Sequence, residues 1–133
     1  MLSSKLKRLL DNYIESEIEF KGIKNFKASY LPVFLLLYNS ANTNSQIAQL
    51  LGVSKQASSK MLKEMMALGL IKTQKNKADN RSSIVLLSAK GNRMALEVRK
   101  TIHRLTENYK SLMGKPQFET LVEGLENIIG LHE

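Results

Sequence analysis

The chain has 133 residues, 43% of them apolar and 24% charged, with a net charge of +8 and no cysteine. A chain of this length suits one domain burying about 68% of its unfolded surface, and its composition excludes a disordered tail. Without cysteine there is no disulfide framework, no thiolate nucleophile, no thiol redox sensor and no cysteine-ligated zinc.

In residues 2–20, Leu2, Leu6, Leu9, Leu10, Tyr13, Ile14 and Ile18 recur at three- and four-residue steps, which predicts an amphipathic helix. A polar break over residues 22–28 follows. Ser29 and Pro32 then open an apolar helix through Tyr38, expected to be buried on all faces at the centre of the fold. Its seven-residue core, Leu31 to Leu37, is the longest apolar run, far short of the roughly 20 residues needed to span a bilayer. The N-terminus turns charged at Lys5, Lys7 and Arg8 before any secretory stretch develops, so a cytoplasmic location and no membrane partner are expected.

Thr43-Asn44-Ser45-Gln46 has the capping-box spacing and starts a short helix with Ile47, Leu50 and Leu51 expected inside. Gly52 stops it, and Ser54 is the N-cap of a second helix to about Leu68, with Ala57, Met61, Leu62, Met65 and Leu68 expected inward. Gly69 ends that helix. Residues 70–75 and 82–87 read as two strands around the turn-forming stretch Asn76 to Arg81. Ser88 and Gly91 open a long helix of roughly 24 residues, about 36 Å. It is broken at Gly114 and Pro116 before a last helix bearing Phe118, Leu121, Leu125, Ile128 and Ile129. The predicted fold is mainly α with a small β-hairpin wing, a winged helix-turn-helix over residues 29–91 within a single domain, 1–133. Residues 1–20 and 92–133 supply dimerisation helices.

Charge concentrates in the middle. Residues 52–104 hold twelve bases and three acids, Glu64, Asp79 and Glu97. A basic centre between near-neutral ends is the pattern of a polyanion-binding module. Lys55, Gln56, Ser59, Lys60 and Lys63 are expected on the outer face of the second helix, where lysine can donate to guanine and glutamine can pair with adenine. Ser54 offers a hydroxyl and free helix-start N–H groups to a phosphate oxygen. At the hairpin, Lys75, Lys77 and Arg81 sit where a wing reaches an adjacent minor groove. Asp79 repels phosphate, and its expected job is to orient Arg81 by an ion pair; the simpler alternative is a turn-forming aspartate.

Four pieces in register now resemble the MarR family of bacterial transcriptional regulators: Gln46 to Ser54, Leu68-Gly69-Leu70-Ile71, Asp79-Asn80-Arg81-Ser82 and Leu86 to Gly91. The matching block covers about half the chain. The resemblance implies a homodimer whose two winged lobes grip a palindromic operator, with Arg81 as the wing arginine and Asp79 as its partner. It also implies a small aromatic or anionic effector, for which Tyr13, Tyr30, Phe34 and Met94 are the candidates by position. Ser58 departs from the family, which has an apolar residue there, as does Met66, which stands where an exposed charge is common.

Leu2, Leu6 and Leu10, with Phe118, Leu121, Leu125 and Ile128, form apolar stripes at the chain ends that a single copy would struggle to cover, and they are expected at a dimer interface. No enzyme is expected. His103 and His132 lie 29 residues apart without clustered acids, and no glycine-rich phosphate loop or nucleophile constellation is present. No metal or cofactor is expected either. The sequence therefore predicts a dimeric, sequence-specific regulator of double-stranded DNA acting as an effector-responsive repressor. The alternative is a winged-helix protein-interaction module without DNA-binding activity. Its docking face should be apolar at the centre.

Overall fold

A computed structural model describes all of residues 1–133. In chain order the elements are α1 (Leu2–Phe20), a single 3-10 turn (Ala28–Tyr30), α2 (Leu31–Leu37), β1 (Asn42–Thr43), α3 (Asn44–Leu51), α4 (Lys55–Ala67), β2 (Ile71–Lys75), β3 (Ser83–Leu87), α5 (Ala89–Met113) and α6 (Lys115–His132). This is the winged helix-turn-helix expected from the sequence. The chain divides into two compact units, Met1–Arg99 and Lys100–Glu133. No helix is long and apolar enough to cross a membrane.

Unit one has its core where α2, α3, α4 and the sheet meet. Tyr30, Val33, Phe34, Leu37, Ile47, Leu62, Met65, Leu70, Ile71, Val85, Leu87, Met94 and Ala95 form one buried cluster. Helix α2 is not buried on all sides, however: Val33, Phe34 and Leu37 face the cluster, while Leu35 is exposed. A seven-residue helix packed on one flank still shows its other flank to water, whatever its composition.

Local chemistry sets the boundaries of α3 and α4. Thr43 Oγ1 accepts from the Gln46 N–H at 3.2 Å and Gln46 Oε1 accepts from the Thr43 N–H at 2.8 Å, completing the capping box. Gly52, at φ +67°, ends α3 in the left-handed region, where a side chain would be strained. Ser54 then caps α4, its hydroxyl accepting from the Ala57 N–H at 3.0 Å.

Two inward assignments are corrected. Leu50 is 62% exposed, and α3 instead buries Ile47 and Ala48. On α4, Ala57 is exposed and Ser58 takes the inner place, 2% exposed, above Leu62 and Met65. A stripe through 58, 62 and 65 has the same helical period as one through 57, 61 and 65, so periodicity alone does not choose between them. The buried Ser58 hydroxyl is satisfied, donating to Asn44 Oδ1 at 2.6 Å.

The sheet has three strands rather than two, in the order β1-β3-β2, all antiparallel. Asn42 and Thr43 pair with Val85 and Ile84, and Ile71 through Lys75 pair with Leu87 through Ser83. A two-residue strand carries no alternation of its own; its pairing with β3 reveals it.

The start of α5 is pinned to the turn after α4. Ser88 Oγ donates to the Gly69 carbonyl at 2.6 Å and accepts from the Gly91 N–H at 3.0 Å, while the Ser88 N–H donates to Leu70 O at 3.0 Å. A Cβ on Gly91 would lie 1.9 Å from that same Leu70 oxygen, so only glycine permits the approach.

In the second unit, Gly114 at φ +87° separates α5 from α6. Helix α6 buries no side chain fully, and Leu121, Leu125, Ile128, Ile129 and Leu131 are exposed on it.

Candidate nucleic-acid interface

The outer face of α4 is built by what its inner face hides. With Ser58, Leu62 and Met65 turned to the core, Lys55, Gln56, Lys60 and Lys63 are exposed and Ser59 is half-buried. Together with Glu64 these residues line one groove of about 620 Å³. Ser54 stands at the exposed N-terminal end of the same helix. The sequence-predicted reading residues are thus brought together on one face, and four of the six groove residues can donate hydrogen bonds through a cationic or amide nitrogen.

Sequence reasoning missed the roles of Asn44 and Glu64. Asn44, the first residue of α3, donates through Nδ2 to Ser59 Oγ at 2.7 Å while accepting from Ser58. Glu64 is the acid in the groove. Lys27 Nζ lies 3.6 Å from its Oε2, and the Tyr30 hydroxyl donates to the same oxygen at 3.4 Å. Lys27 thereby offsets a charge that would repel phosphate. Burial pushes the Tyr30 phenol above its ordinary value, Lys27 opposes that shift, and the Glu64 charge and hydrogen bond add to it. Glu64 at four residues from Lys60 was visible in the sequence, but its partner on the 3-10 turn was not.

The wing presents Lys75 at the end of β2 and Lys77 and Arg81 in the turn, all exposed. Arg81 has its side chain 96% exposed, with Nε 3.8 Å from Asp79 Oδ1. The same Asp79 oxygen accepts from the Arg81 N–H at 3.0 Å, so Asp79 shapes the turn as well as facing the guanidinium. Asn76 closes the turn's base, donating from Nδ2 to Ser82 Oγ at 3.0 Å.

The structure places the four effector candidates in different settings. Tyr30, Phe34 and Met94 belong to the buried cluster, and Tyr13 is half-buried on α1. Met94 also lines an open cleft of about 890 Å³, shared with Lys21, Lys24, Lys90, Arg93 and Glu97. Within it Lys21 pairs with Glu97 at 3.0 Å, and Lys90 donates to the Leu68 carbonyl at 3.0 Å. Of the interface candidates, Leu2 and Leu6 on α1 are exposed and Leu10 is half-buried. On α6, Leu121, Leu125 and Ile128 are exposed and Phe118 is half-buried, with Lys110 Nζ 5.9 Å from its ring centre.

A family model described as the MarR family matches residues 25–82, the segment from the loop before α2 to the wing. The match spans just under half of the chain. Solved structures extend the likeness of fold along nearly the whole chain. A MarR transcriptional regulator from Methanosarcina mazei Go1 superimposes with a TM-score of 0.82 at 22% identity, covering 97% of this chain and 91% of that one. The transcriptional repressor CouR, bound to a 23-mer DNA duplex, gives 0.77 at 24% identity over 97% and 92%. The PcaV regulator from Streptomyces coelicolor, in complex with its natural ligand, gives 0.81 at 12% identity over 99% and 92%. Comparison with curated proteins finds no match. The matched segment contains both Asp79 and Arg81 and all of α3 and α4, so the groove and the wing tip both lie within it.

Proposed function

We propose that this chain is a sequence-specific regulator of double-stranded DNA that acts as a homodimer on a palindromic operator, as an effector-responsive repressor. One observation carries the reading: the groove on the outer side of α4 is lined by polar side chains, Lys55, Gln56, Ser59, Lys60, Lys63 and Glu64, with the exposed Ala57 and Met66 outside that lining. A protein-docking surface would be apolar at its centre and polar only at its rim. Lys55, Gln56, Ser59 and Lys60 read base edges, Ser54 and Lys63 hold phosphates, and Arg81 enters the minor groove with Lys75 and Lys77 beside the backbone. The CouR repressor was solved on DNA, which supports the same use of the shared fold.

The homodimer reading rests on exposed apolar residues, Leu2 and Leu6 on α1 and Leu121, Leu125 and Ile128 on α6, which water penalises until a second copy covers them. Two reading helices in a dimer face half-sites about 10–10.5 bp apart. The effector reading is supported by PcaV with its ligand and by the cleft where Lys24 and Arg93 accompany Met94, a setting suited to an anionic small molecule. Such a ligand would act by favouring a lobe separation or tilt that fits the operator less well.

The test is selection from a random pool of duplex DNA, sequencing of the retained fraction and a salt titration. A recovered palindrome bound less tightly as salt rises is the expected result. No enrichment, with weak binding even at low salt, would overturn the DNA reading in favour of a protein-interaction module.

A further inference from the structure

The buried contact beneath α4 determines how one of its reading residues can hydrogen-bond. Asn44 sits at the first position of α3, and its carboxamide spans two consecutive serines of α4. Ser58, buried, donates its proton to Asn44 Oδ1 at 2.6 Å. Ser59, half-buried, receives the Asn44 Nδ2 proton at 2.7 Å, and its own O–H finds no acceptor within the protein. Ser59 nevertheless lines the groove with Lys55, Gln56, Lys60 and Lys63. A free serine hydroxyl both donates and accepts and rotates to suit its neighbour. One whose oxygen already receives an amide proton is turned so that its own proton points away from that donor.

We propose that Asn44 is a positioning residue for DNA recognition, holding the Ser59 hydroxyl with its proton directed into the groove as a donor toward an acceptor atom of DNA. The proposal rests on the DNA-binding reading given above. It assigns the Ser59 proton to an acceptor, either on a base edge (guanine O6 or N7, adenine N7, thymine O4) or on a phosphate oxygen. It also gives Ser58 a purpose. The buried hydroxyl supplies the proton that orients the carboxamide, so that its amine end faces Ser59.

A double-mutant cycle on the full chain tests this, using the operator recovered from the random pool and, separately, random duplex. The unaltered protein is measured first: if it enriches no sequence and binds no duplex at low salt, the DNA-binding reading fails and the proposal falls with it. Given binding, Ser59→Ala should weaken operator affinity about fivefold. Asn44→Leu combined with Ser58→Ala replaces the polar contact by an apolar one, so that the core stays packed, and should cost a similar factor. Added to Ser59→Ala, the same pair should cost less than about twofold more, because the hydroxyl it positions is already gone. Loss confined to the preference at one base pair places the acceptor on a base edge. Equal loss on operator and random duplex places it on a phosphate. The proposal is overturned if Ser59→Ala costs nothing on either DNA, or if the Asn44/Ser58 pair costs as much without the Ser59 hydroxyl as with it.

Discussion

Helices α4 and α6 are both amphipathic, and the molecule uses them in opposite ways. Helix α4 spends its apolar side inside its own unit, burying Leu62 and Met65, and leaves a polar, cationic face in water. Helix α6 buries no side chain fully and keeps Leu121, Leu125, Ile128 and Ile129 exposed. The same period of 3.6 residues therefore leaves two kinds of surface in water. A leftover cationic face gains from a polyanion that releases its counterions, whereas a leftover apolar face gains from any surface that removes it from water.

Substitutions can break this contrast at either end. The largest effect is expected from Leu125→Asp with Ile128→Asp, which places two unpaired charges in the proposed dimer interface. Self-association should weaken by about 4 kcal/mol, read by sedimentation equilibrium, and operator binding should fall with it. An unchanged dimer would remove α6 from the interface. Next comes Gly91→Ala, where the new Cβ meets Leu70 O at 1.9 Å. It should cost unit one about 3 kcal/mol in thermal unfolding and so disturb the proposed reading face without touching it.

Arg81→Ala sharpens the contrast from the other side. The side chain is 96% exposed, so thermal stability should hold while operator affinity falls by about 2–3 kcal/mol; a folded variant with full affinity would remove the wing from the interface. Gln56→Ala should relax preference at one base pair by about 1–3 kcal/mol, measured on operator variants. Equal losses on specific and random duplex would move Gln56 to a phosphate.

The smallest effect belongs to Tyr30→Phe, which removes the 3.4 Å hydrogen bond to Glu64. Stability near neutral pH should fall by about 0.5 kcal/mol. The folded phenol holds its proton more tightly than the unfolded one, with an ordinary value of 10.0. Its contribution is therefore complete below pH 10 and is lost as pH rises beyond it. Tyr30→Phe should flatten that alkaline limb in pH-dependent melting curves.

Much of the lobe was legible in advance because its signals are local. A capping box at Thr43, a left-handed stop at Gly52 and a cap at Ser54 need only a few neighbouring residues, and all three are where their spacing indicated. The polar turn from Asn76 to Arg81 is equally local, since its hydrogen bonds run between residues at most six apart. Leu50 and Ala57 escaped because an apolar stripe on a short helix can be drawn one position to either side, and only the packing partner selects one. β1 escaped because two residues carry no pattern.

The proposed reading face shows the same division. Lys55, Gln56, Lys60, Lys63 and Arg81 could be picked out from residue type and helical phase. That Asn44 would reach Ser58 and Ser59 across 14 and 15 residues, or Lys27 reach Glu64, could not. By itself the sequence determined the order of elements, their caps, the basic centre and the family resemblance, since each depends on residues close along the chain. The tertiary structure decided which side of α4 faces inward, which serine lines the groove and why position 91 must be glycine. Those outcomes depend on the distance between segments far apart in sequence, and that distance exists only once the core has closed.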